Sequence, residues 1–174
     1  MVPVSLPRIV ATERLTLDLC TTDEAALMLA GGRDPRWHPD YPRPDDRDAA
    51  SLVRGDDPWG PRHITRTFDG LVFGSIGFFG PPAPAPGRAS DGVPEVEIGY
   101  GLVPDARGRG VATEAARALL ALTDAVGVRV RASVQPDNAA SIRVLAKCGF
   151  TELRGGNEDG ELVMARPLRA GPVS

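Results

Sequence analysis

The chain has 174 residues, 42% of them hydrophobic and 25% charged, with a formal net charge of −3. That length is enough to bury a real core, and the simplest organisation is one domain spanning residues 1–174. The slight negative charge offers no global attraction to nucleic acid or to an anionic membrane, and no apolar run approaches the ~20 residues of a membrane-spanning helix.

Cys20 and Cys148 stand far apart without metal-ligand spacing, so neither a disulfide framework nor a zinc or other metal site is expected. Nothing near Cys148 in sequence would activate it as a nucleophile. The opening MVPVSLPRIVATERL lacks the basic and apolar regions of a signal peptide, which points to a cytoplasmic protein with reduced thiols.

In chain order, RLTLDL alternates polar and apolar residues as a strand with one buried face. Thr21 and Glu24 are spaced as a capping box, so a helix starts there and stops at Gly31-Gly32. Residues 31–60, rich in Asp, Arg and Pro and holding Trp37 and Trp59, read as irregular chain with a short helix near Ala49 to Arg54. His63 to Gly80 reads as a hairpin turning at Asp69-Gly70. PPAPAPGRASDGVP reads as a loop, a surface connector or a partial lid. Glu95 to Val103 resumes strand, GVATEAARALLALTDAV is a strong helix, and RVRASV is a strand. DNAASIRVLAKC forms a second strong helix capped by Gly149, before two short strands, TELR and ELVMARPL. Interleaved strands and helices indicate an α/β or α+β sheet domain.

The stretch ARGRGVA joins a strand to a helix. A helix start presents amides without intrahelical partners and the positive end of the macrodipole. Gly108 and Gly110 let an anion approach the backbone, and Arg107 and Arg109 supply charge. A plain strand-to-helix turn explains the same glycines about as well. The Walker and dinucleotide fingerprints are both absent: no Gly-Lys-Ser/Thr follows, and Thr113 takes the place of the third glycine.

Arg107-x-x-Gly110-x-Ala112 resembles the Q/R-x-x-G-x-G/A signature of the GNAT superfamily of acyl-CoA-dependent N-acetyltransferases. NAASIRVLAKCGF is similar to that family's N-x-x-S…K-x-G-F segment. TERLTL and VEIGYGLVPDARGRGVATEA resemble its ribosomal-protein-alanine N-acetyltransferase branch, and the likeness runs from about Ala11 to Leu168. The resemblance implies a mixed, mostly antiparallel central sheet with flanking helices and a splayed parallel strand pair that holds the pantetheine arm of coenzyme A. It places the pyrophosphate on the amides of Arg107, Gly108, Arg109, Gly110, Val111 and Ala112, and the main chain of Leu102 and Val103 beside pantetheine. It also suits a homodimer.

The implied reaction moves an acetyl group from acetyl-CoA to a primary amine, a protein N-terminus or a small molecule. The amine must lose a proton, and the departing thiolate gains from a donor. Glu97 is the first candidate base, since the family places a glutamate there. Glu95 lies on the same strand face and could share the role, directly or by a water relay. Many members use a tyrosine seven places past Asn138, where this chain has Leu145. Ser141 is the remaining hydroxyl, either a donor to sulfur or a cofactor contact, and Asn138 is a cofactor contact or a helix cap. Tyr100 falls on the strand face opposite Glu97 and reads as packing. Arg143 and Lys147, four residues apart, read as a solvated stripe or as partners of the 3′-phosphate. His38 and His63 receive no catalytic role.

Residues 31–60 are the expected acceptor region. Its carboxylates could attract a cationic amine and Trp37, Tyr41 and Trp59 could line an apolar or cation-receiving wall there, or the acids form surface pairs with arginines and the tryptophans belong to the core. The missing helix tyrosine keeps open a second function, a catalytically silent acyl-CoA-binding regulator.

Overall fold

The computed structural model describes residues 5–85 and 91–170. Strand β1 (Ile9–Ala11) pairs antiparallel with β2 (Leu15–Leu19), whose Leu15, Leu17 and Leu19 are buried while Thr16 and Asp18 are less so. The alternation in RLTLDL therefore fixes the buried face. The three-residue β1 was too short to leave a sequence period.

Helix α1 (Thr22–Leu29) begins at the expected capping box. Thr21 Oγ1 accepts from the Glu24 amide at 3.1 Å, and Glu24 Oε2 accepts from the Thr21 amide at 2.9 Å. Glu24 Oε2 also lies 3.3 Å from His63 Nε2, and Tyr41 Oη is 2.8 Å from His63 Nδ1. This buried chain of polar contacts pins α1 to the sheet. Helix α2 (Pro44–Ala50) starts well before the expected Ala49. Pro44 presets the first helical φ, and Asp46 accepts from the Arg43 amide at 2.8 Å, so the helix begins in the proline-rich stretch.

Strands β3 (Pro61–Arg66) and β4 (Val72–Phe78) form the hairpin, with Gly70 at φ 73° in its turn. Every residue of β4 is buried, which explains its unbroken small and apolar run. Strand β5 (Ala83–Pro84) pairs with the start of β6 (Pro94–Leu102), so the proline-rich connector contributes a short strand; its residues 86–90 lie outside the described residues. After a 3-10 turn at Pro104–Ala106 come α3 (Val111–Ala125), β7 (Arg129–Val134), α4 (Ala139–Lys147), β8 (Glu152–Gly156) and β9 (Leu162–Arg166).

The described strands form one sheet in the order β1-β2-β3-β4-β6-β7-β9-β8, with β5 beside β6. All its neighbouring strands run antiparallel except β6 and β7. Those two pair only from Glu95↔Arg129 to Glu97↔Arg131, although β6 continues to Leu102 and β7 to Val134. Beyond the third pair the sheet splays open. Val96 and Ile98 of β6 and Val130 and Ala132 of β7 share the core with Ala115, Leu119 and Leu120 of α3. Full burial of each leucine contributes roughly 1.5–3 kcal/mol.

The opposite face of the paired rungs carries charge. Glu95 accepts from Arg129 Nε at 2.7 Å, Arg131 Nη1 at 3.0 Å and both Arg154 Nη atoms at 2.7 and 2.9 Å. Burial pushes its carboxyl up, but the bonds from Arg154, Arg129 and Arg131 outweigh that and bring it down to about 2. No helix among the described residues is long and apolar enough to cross a membrane.

Candidate active site

Gly108 and Gly110 sit at φ 74° and 75°, backbone conformations that disfavour a side chain, and Gly110 is the N-cap of α3. The first helical bond is from the Glu114 amide to Gly110 O at 3.0 Å, and glycine brings no side chain to cap the amides before it. The amides of Val111, Ala112 and Thr113 are thereby left pointing out of the helix start. They border a cleft of about 480 Å³ that Arg107, Asn138, Ser141, Arg143 and Lys147 also line. Arg143 and Lys147 are exposed, and neither makes an ion pair among the described residues.

Arg109 departs from the sequence expectation. The residue lines a different cleft, beside Arg14, Arg66 and Asp105, and its carbonyl accepts from Arg14 Nη1 at 3.1 Å.

The same cleft follows the open edge of β6. Val103 N donates to Phe73 O and Phe79 N to Glu97 O, so odd-numbered residues of β6 aim their main chain at β4. Alternation then turns the main chain of Ile98, Tyr100 and Leu102 toward the opening. Leu102 lines the cleft as expected. Val103 does not: it is fully buried, its amide serves Phe73, and its carbonyl accepts from Ala106 N at 3.0 Å.

Across the opening stands α4. Asn138 Oδ1 caps it by accepting from the Ser141 amide at 3.1 Å, and the Ser141 hydroxyl makes no bond among the described residues. Tyr100 Oη donates to Ser141 O at 3.3 Å, and burial raises the phenol above its ordinary pKa. Leu145 is buried in the core.

A second cleft of about 520 Å³ meets the first where Arg43, Asp45 and Tyr100 line both. Asp48, Leu52, Ser75, Phe79, Gly99 and Glu161 complete much of its wall. Asp45 and Asp48 are exposed, and their carboxylates have no partners among the described residues. Arg43 gives Nε and Nη2 to Asp46 at 2.9 and 2.7 Å, and its guanidinium lies in the space a side chain at Gly101 would need.

A profile of the Acetyltransferase (GNAT) domain matches residues 14–151. The chain belongs to the GNAT acetyltransferase family. A GnaT-family acetyltransferase from Bordetella pertussis is 22% identical with a TM-score of 0.61, the match covering 92% of this chain and 100% of that one. AAC(6')-Ib, solved in complex with Parmomycin and AcetylCoA, is 20% identical with a TM-score of 0.60, over 88% of this chain and 93% of that one. Ribosomal-protein-S5-alanine acetyltransferase from Vibrio fischeri is 14% identical with a TM-score of 0.59, over 92% and 96%. At these identities the likeness is one of fold. A comparison with curated protein sequences finds no match.

Within this GNAT chain, Glu97 and Glu95 share a strand face, as alternation requires. Glu97 Oε2 accepts from Arg131 Nε at 3.2 Å, its Oε1 has no partner among the described residues, and it does not itself line either cleft. Gly99, next on that face, does line the second cleft. Glu95 is poorly placed for that role: its oxygens are taken up by three arginines, and it lines neither cleft.

The aromatic wall also differs from one sequence expectation. Trp37, Tyr41 and Trp59 are core residues, with Trp37 and Tyr41 against His63 and Trp59 against Phe78. Phe79 and Tyr100 are the aromatics of the second cleft. His38 lines the cleft that receives Arg109, and His63 is buried. Burial raises the thiols of both Cys20 and Cys148, against any nucleophilic role.

Tyr100, read from the sequence as packing, lines both clefts, and Asp45 and Asp48 are the carboxylates of the 31–60 segment that border the second one. For Asp45 and Asp48 the signal was present: a proline followed by acidic residues at a helix start.

Proposed function

We propose that this chain transfers an acetyl group from acetyl-CoA to a primary amine, a protein N-terminus or a small molecule, by direct attack in a ternary complex. The supporting observation is the meeting of two unlike clefts at Arg43, Asp45 and Tyr100. One offers unpaired amides and the cations Arg107, Arg143 and Lys147, which suit phosphates, beside an open strand edge that suits an extended pantetheine arm. The other presents the free carboxylates Asp45 and Asp48, which suit a cationic amine.

In this reading the amides of Gly108 to Ala112 and the Arg107 side chain hold the pyrophosphate. Leu102, Asn138 and Ser141 contact pantetheine. Glu97 takes the amine proton through a water beside Gly99, using the oxygen that Arg131 leaves free. The thioester is supplied by acetyl-CoA when bound. The ribosomal-protein-alanine branch is the finer placing we favour, on TERLTL and VEIGYGLVPDARGRGVATEA.

Acetyl-CoA is expected to raise the melting temperature while NAD and ATP do not; no shift at millimolar acetyl-CoA would reject the cofactor. A panel of amines with detection of free coenzyme A then identifies the acceptor. Burial of Leu145 is the one observation favouring a silent acyl-CoA-binding regulator. Binding without thiol release from any amine in the panel would establish that second reading.

A further inference from the structure

Acetyl transfer breaks a carbon–sulfur bond, and the sulfur that leaves needs a proton. A donor must reach the place where the two clefts join. Three residues line both: Arg43, Asp45 and Tyr100. Arg43 has committed Nε and Nη2 to Asp46, and a guanidinium does not give up its proton. Asp45 brings lone pairs. Tyr100 brings a hydroxyl.

The other hydroxyls are placed differently. Thr113 lies at the helix start, at the phosphate end of the first cleft, and Ser75 is buried in a bond to Asp46. Ser141 lines the first cleft alone. Tyr100 stands three residues past the last β6–β7 pair, where the strands have parted. Among the described residues its hydroxyl is held only by a 3.3 Å bond to Ser141 O, which a better acceptor can replace.

We propose that Tyr100 is a catalytic residue of this chain, the proton donor to the departing thiolate. The assignment rests on the acetyl-CoA reading above. As the amine nitrogen bonds to the acetyl carbon, the carbon–sulfur bond breaks and its electron pair passes to sulfur. Tyr100 gives its hydroxyl proton to that sulfur. The proton lost by the amine passes through water to Glu97 and from there to solvent, and the Tyr100 phenolate takes one back from water, so both groups are regenerated. Burial keeps the phenol protonated at neutral pH, as a donor must be.

The test is Tyr100→Phe in the full chain, with the accepting amine saturating. Turnover is expected to fall ~10²-fold, the scale of general acid catalysis, while acetyl-CoA binding measured by calorimetry stays within about twofold. Wild-type kcat should decline at high pH as the phenol ionises, and Tyr100→Phe should lack that limb. Incorporating the more acidic 3-fluorotyrosine at position 100, which leaves the ring in place, should move the limb to lower pH. Wild-type turnover by Tyr100→Phe, or an unmoved limb in the fluorinated protein, overturns the assignment and leaves the cofactor reading standing. Failure of the wild type to bind acetyl-CoA overturns both.

Discussion

Glu97 and Arg131 occupy the last rung on which β6 and β7 are paired, and Arg131 Nε donates to Glu97 Oε2 at 3.2 Å. The carboxylate stands at the foot of the splay, one oxygen held and the other open. Glu97→Gln keeps the shape and an acceptor for Arg131 but removes the basic oxygen. Its kcat should fall by ~10²-fold with acetyl-CoA affinity unchanged, read from steady-state kinetics beside calorimetry. Unchanged kcat would reject Glu97 as the base.

Glu95→Gln tests structure. It leaves Arg129, Arg131 and Arg154 around an uncharged amide, and breaking a buried pair of this kind costs about 3 kcal/mol. Denaturant unfolding should report that loss.

The pH dependence follows from the same residue. The folded-state carboxyl is lowered to about 2 from an ordinary 4.5, so its contribution to stability is present above the unfolded value. It is lost as pH falls through the window from about 5 to 2. The wild type should therefore lose more stability across that window than Glu95→Gln does, as thermal melts at stepped pH will report.

Arg143→Ala with Lys147→Ala removes two unpaired cations from the cofactor cleft. The KM for acetyl-CoA should rise about tenfold at low salt and less at high salt, because exposed charges are screened. Repeating the titration with 3′-dephospho coenzyme A locates the contact. An equal penalty for both cofactors places these residues away from the 3′-phosphate.

Asp45→Asn and Asp48→Asn act on the other cleft. Each should raise the KM of a cationic acceptor several-fold without weakening acetyl-CoA binding. No change for any amine on the panel would leave the acidic rim without a role in recognition.

What could be read from the sequence is what neighbouring residues determine. The Thr21–Glu24 cap, the φ-positive Gly108 and Gly110, the helix from Val111 and the strand from Arg129 to Val134 all follow from local pattern. That the Val103 amide is occupied could not be read locally, because it pairs with Phe73, thirty residues earlier. Nor could the separate cleft that Arg109 borders beside Arg14 and Arg66, which come from distant parts of the chain. Tyr100 was set aside by a rule of strand faces that holds only while a sheet is closed. Where β6 and β7 separate, a side chain facing away from Glu97 still borders the opening.

The guanidinium of Arg43 rests on Gly101, and Asp46 ties it to Ser75, so α2 is clamped onto the sheet as the shared wall of both clefts. If acetyl-CoA shifts the resting position of that wall, it alters the affinity for the amine, and the amine must then alter the affinity for acetyl-CoA by the same factor. Titrating each ligand in the presence of the other measures that factor, and Gly101→Ala, which pushes the Arg43 guanidinium off its seat, should change it.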